Sequence, residues 1–165
     1  MRFRFALLLL LALASYGFAQ PIVNVTDDMV TGKSVTISLN MSSSDASMGK
    51  APALDSIQLR FRCNNDGLDI YLRAEEWTMF AGYPANIVYR FAGGDPTPTH
   101  DWGASTTGYS VFLPASQKSA FLSSSLEAES IAIRWSLAGG MANKTLVYDL
   151  REFQGVAGEH LAACR

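Results

Sequence analysis

The sequence is poor in the residues that most catalytic chemistry needs. It has two histidines, His100 and His160, and two cysteines, Cys63 and Cys164. A structural zinc site takes four such ligands at suitable spacing, so no metal site is expected. No glycine loop for phosphate and no dinucleotide fingerprint occurs, so no cofactor is expected. Ser105 and Thr106 lack the flanking pattern of a hydrolase nucleophile. Glu75 and Glu76 are adjacent in a presumed turn, a poor arrangement for paired acid–base work. His100, beside Asp101, and His160, beside Glu159, read as solvated surface residues. No catalytic residue stands out, and the expectation is a protein that is not an enzyme. Charge is also sparse, at 17% of residues, with no run of lysine or arginine. Such a chain is unsuited to nucleic acid or anionic membranes.

Only one long apolar run is present, and it lies at the start. Arg2 and Arg4 precede an apolar stretch over residues 5–14, and Gly17 and Ala19 place small side chains before Gln20. That order matches a secretory signal peptide over residues 1–19. The run falls short of the ~20 apolar residues needed to span a bilayer, so no membrane span is expected after cleavage. Cleavage removes two of the 13 basic residues and none of the 15 acids, giving a net charge of about −4. The expected location is periplasmic or secreted. In that oxidising setting the two cysteines predict one disulfide, Cys63–Cys164, closing most of a single domain over residues 20–165. A loop of ~100 residues gives roughly 4–5 kcal/mol in the chain-entropy picture.

Alternation dominates the remainder. Val35, Ile37, Leu39 and Met41 alternate with polar residues, as do Ile57, Leu59, Phe61 and Cys63. Leu68, Ile70 and Leu72 repeat the pattern, and so do Ile131, Ile133, Trp135 and Leu137. Each is the period-2 signature of a strand with one buried face. Residues 87–91, 109–113 and 146–150 are weaker strands. Asn64-Asn65-Asp66-Gly67 predicts a tight hairpin, and Gly93-Gly94 and Gly139-Gly140 two more reversals. Residues 42–53 read as a surface loop. Short helices are expected over 115–126, capped by Ser116, and over 156–163, ending at Cys164. The predicted fold is mainly β: an antiparallel sandwich or strongly twisted sheet with one or two short helices.

Arginine offers the one suggestive pattern. Arg60, Arg62, Arg73, Arg90 and Arg134 fall in predicted strands, mostly on wet faces. Two readings stand. Either the forks are satisfied by cross-strand acids such as Asp69 and Asp149, or they form a cationic face for a carboxylate, a phosphate or an acidic partner. Trp102, in a Gly/Pro-rich stretch, is either a loop anchor or a ligand platform, while Trp135 reads as core. Arg60, Arg62, Arg90, Arg134 and Trp102 are the candidate binding residues.

Read in order, the chain resembles the VasI/TagO-like proteins associated with bacterial type VI secretion. The resemblance runs from Asp27-Asp28 into the strand at 34–41, then through Ile57-Gln58-Leu59-Arg60-Phe61-Arg62-Cys63 and Asn64-Asn65. It continues through Tyr71, Val88-Tyr89-Arg90, Trp102 with Ser105-Thr106, Ile133-Arg134 and Tyr148-Asp149-Leu150, to a helix ending in Cys164. Phe91-Ala92 stands where the family pattern continues Ile-Asp, and Thr107 where it has an acid. The resemblance implies an exported, non-enzymatic envelope accessory protein whose partner is an envelope protein or peptidoglycan. The alternative is a secreted small-ligand or carbohydrate-binding β-sandwich module.

Overall fold

The alternating segments pair into a single antiparallel ladder. The computed structural model describes residues 20–28, 32–44, 57–74, 85–98, 100–136 and 143–164. Within them lie β1 (Ile22–Asp28), β2 (Gly32–Leu39), β3 (Met41–Ser44), β4 (Gln58–Asn64), β5 (Gly67–Arg73), β6 (Ala85–Phe91), β7 (His100–Ala104), β8 (Ser110–Phe112), β9 (Ser130–Ser136) and β10 (Asn143–Asp149). Helix α1 (Lys118–Glu127) precedes β9, and α2 (Phe153–His160) follows β10. The expected signal segment 1–19, Glu75, Glu76 and Gly139-Gly140 lie outside the described residues.

The strand order is β1-β2-β4-β5-β8-β7-β6-β9-β10-β3. Two half-sheets meet at β7. His100, Asp101 and Trp102 pair with β6, while Gly103 and Ala104 pair with β8. At the opposite corner Asn40 alone separates β2 from β3. The chain thereby passes from one half-sheet to the edge of the other, with β1 and β3 at the two ends of the strand order. The result is the sandwich-like antiparallel fold that the alternation predicts.

The inward residues of both halves form one core, including Ile37, Leu59, Phe61, Ile70, Ile87, Ile133, Trp135, Leu146 and Tyr148. Phe121 on α1 touches rings from both halves: Phe61 at 6.1 Å, Tyr89 at 4.9 Å, Phe91 at 5.2 Å and Trp102 at 6.2 Å. Phe153 on α2 stacks on Phe61 at 4.3 Å. The buried Tyr148 hydroxyl, on β10, donates to the Ile57 carbonyl just before β4 at 3.2 Å, joining the halves. The Cys63–Cys164 disulfide is present, with Cα atoms 5.8 Å apart. The Asp-Gly hairpin also forms: Gly67 takes φ +110°, a conformation that favours glycine, and Asn64 Oδ1 accepts from the Asp66 N–H.

Several expectations need correction. The loop expected at 42–53 begins instead with β3, because Ser43 and Ser44 pair with β10 and Ser42, at the irregularity between them and Met41, donates from Oγ to the Val147 carbonyl; residues 45–53 lie outside the description. Residues 100–104, read as loop, are the corner strand β7. Ser116 lies in a 3-10 turn and caps nothing, since α1 starts at Lys118. The second helix starts three residues early, at Phe153, because that ring is drawn into the core. The chain then tightens into a 3-10 turn at Ala162–Cys164, so the bridge ties β4 to that turn.

Candidate functional site

The four candidate arginines separate into two pairs with different surroundings. Strand β4 alternates polar residues outward with buried ones inward. Its outward Arg60 is held by its neighbour: Nε and Nη2 both donate to Gln58 Oε1, at 2.9 and 2.6 Å. Gln58 Nε2 in turn donates to Asn40 Oδ1, so this chain of bonds stabilises the β2–β3 corner.

Arg62 is paired. Its Nη2 lies 2.6 Å from Asp69 Oδ2, directly across the β4–β5 ladder, and its guanidinium sits 5.6 Å from the Tyr71 ring centre. Lys118 Nζ on α1 reaches the second Asp69 oxygen at 2.9 Å. Burial pushes the Asp69 carboxyl up, but the bonds from Arg62 and Lys118 outweigh it and hold the group below its ordinary value. Arg62 therefore follows the cross-strand reading. The other expected acid, Asp149, pairs with its near neighbour Arg151 and not with a strand arginine.

Arg90 and Arg134 are different. They project from the outer face of β6 and β9, where Val88 lies opposite Arg134 and Ala132 opposite Arg90. The two arginines are thus diagonal neighbours, a separation that long side chains easily bridge. Both are exposed, and no carboxylate among the described residues pairs with either. Arg134 Nε donates to Thr145 Oγ1 on β10 at 3.2 Å. The small Ala132 leaves a depression beside Arg90, and the resulting groove is lined by Val88, Arg90, Pro96, Ala132, Arg134 and Thr145. Guanidinium forks over a partly apolar floor suit a planar anion carried on a larger molecule.

Trp102 does not belong to this site. Its ring is fully buried against Phe121 and Tyr89, so the platform reading is replaced by that of a core anchor. Burial is forced by position: Trp102 is the inward residue of the corner strand, flanked by exposed Asp101 and Gly103.

The histidines are held locally. His100 Nδ1 shares a 2.9 Å hydrogen bond with Gln117 Nε2, and His160 lies 3.9 Å from Glu159. Asp101 points away from His100, as successive strand residues must. No group of three or more histidine, cysteine or acidic side chains among the described residues is arranged to hold a metal ion. No described helix is long and apolar enough to cross a membrane.

The sequence pattern missed the groove's floor. Ala132 and Thr145 carry no chemistry that draws notice, and Pro96 reads only as part of a turn. The visible signal was the placement of Ala132 and Arg134 on one wet face. In comparisons with family models, curated proteins and solved structures, nothing matches the chain.

Proposed function

We propose that the chain is an exported, non-enzymatic accessory protein of the bacterial envelope, of the kind its resemblance to VasI/TagO-like proteins implies. It holds an anionic group of an envelope protein or of peptidoglycan in the Arg90–Arg134 groove. The observation that carries this reading is the contrast among the arginines. Arg60 and Arg62 are engaged within the fold, while Arg90 and Arg134 flank a groove with no pairing carboxylate among the described residues. Exposed cations without a carboxylate partner contribute little to stability. Charge-assisted bonds to an anionic ligand give the pair a use.

Comparative capture tests the proposal. Wild-type protein and R90A/R134A, both folded and oxidised, are used as bait in envelope extracts, and bound proteins and wall fragments are identified by mass spectrometry. The expected result is an envelope protein or peptidoglycan fragment retained by wild type, lost from the double variant, and weakened by salt. Equal capture by both baits, or none by wild type, sinks the proposal. Binding of a free small anion or glycan alone moves the reading to a secreted ligand-binding module.

A further inference from the structure

The large hydrophobic side chains most exposed among the described residues both lie on β1: Ile22 at 44% and Val25 at 55%. This strand pairs with β2 along its whole length, from Ile22 opposite Ser38 to Asp28 opposite Gly32. Its other edge meets no strand among the described residues, since β1 ends the strand order. The opposite end of that order is β3, only four residues long. Shortness, bulges and charge are the usual protections of a free edge. Here β1 runs for seven residues in unbroken register and carries no charge before Asp27. With no strand on this edge among the described residues, β1 can template another strand.

The sequence of β1 selects what that strand is. We infer that the outer edge of β1 pairs antiparallel with β1 of a second copy of this chain, about a two-fold axis at Asn24. In that register Val23 lies opposite the second copy's Val25, and Ile22 opposite its Thr26. β-Branched residues are thus matched on both faces, a pairing that favours a ladder. Asp27 falls opposite Pro21, and Asp28 opposite Gln20, so no two acids face each other. A parallel arrangement sets Asp27 and Asp28 beside their own copies, which is repulsive. Centring the axis on Val25 puts Val23 against Asp27. Of these arrangements, the Asn24 register gives apolar matching together with separated charge. Such a contact is isologous, closes at two chains, and joins two ladders into one continuous sheet. It is independent of the groove: Arg90 and Arg134 lie on β6 and β9, away from this end of the strand order.

Sedimentation of the protein purified from full-length expression, over a wide concentration range, reads the association. The expected result is a concentration-dependent dimer. V25K places a charge at the matched position, leaves the melting temperature nearly unchanged because Val25 is exposed, and weakens dimerisation by about tenfold or more. Cysteine substitution reads the register. N24C sits on the axis and forms a disulfide-linked dimer on oxidation. T26C is displaced from its own copy by four residues and stays largely monomeric. A wild-type protein that sediments as a monomer throughout overturns the inference. So does a dimer that V25K leaves intact, or one in which T26C cross-links as readily as N24C.

Discussion

Tyr148 shows how a single buried polar atom is used in this fold. Its hydroxyl is sealed in the core and donates to the Ile57 carbonyl. Burial raises the phenol far above its ordinary pKa. The contribution of that raised group is fully present below about pH 10 and is lost as pH rises further, because the unfolded chain then releases a proton that the folded chain retains. Y148F leaves the Ile57 carbonyl without this donor and should cost about 1–2 kcal/mol near neutrality. It should also flatten the alkaline limb of the stability curve, and urea unfolding between neutral and alkaline pH measures both effects. Asp69 acts with the opposite sign. Its folded value is depressed, so its contribution is present above about pH 4 and is lost as pH falls through the lower folded value. D69N should therefore weaken the acid dependence of stability, a change read by thermal melts at acidic pH. R62A should lower stability slightly, by roughly 1 kcal/mol or less for a part-exposed pair. R90A should leave it unchanged, and a loss from R90A larger than that from R62A contradicts the division of the arginines.

At the scale of elements, α1 is fixed by one residue more than by its amphipathicity. Phe121 is almost wholly buried and touches four rings drawn from both half-sheets. F121A should cost about 3–5 kcal/mol, read as a fall in the urea midpoint. A cost below 1 kcal/mol means that the helix is held by other contacts. The strands with strict alternation, such as β4 and β9, were legible because period 2 writes the buried face directly into the residue order. Strand β1 was not, because as an end strand it buries little: Val23 packs partly against the core, while Ile22 and Val25 stay exposed, so no buried face marks its residue order. Strand β7 was hidden for another reason: a five-residue strand that changes neighbours midway carries only one inward residue, Trp102. Phe153 opens α2 by reaching Phe61, a tertiary contact that local propensity does not encode.

At the scale of the whole molecule, the disulfide was readable from the cysteine count and the expected oxidising compartment, while the groove was not. Arg90 and Arg134 are far apart in sequence and meet because β6 pairs with β9 across the intervening β7, β8 and α1. Their wet-face positions were legible, but their adjacency depends on that long-range pairing. The disulfide spans 101 residues, so its removal should cost about 4–5 kcal/mol in the chain-entropy picture. Comparison of C63A/C164A with wild type by urea unfolding tests that figure. The proposed function rests on the groove. The most direct test is an NMR titration of the arginine side-chain N–H signals with soluble muropeptides and with any acidic envelope protein recovered by capture. The account predicts that Arg90 and Arg134 shift first and together, with little movement at Arg62, and that R90A/R134A abolishes binding while keeping its fold. Saturable binding that leaves Arg90 and Arg134 unshifted, or no binding of either ligand class, contradicts it.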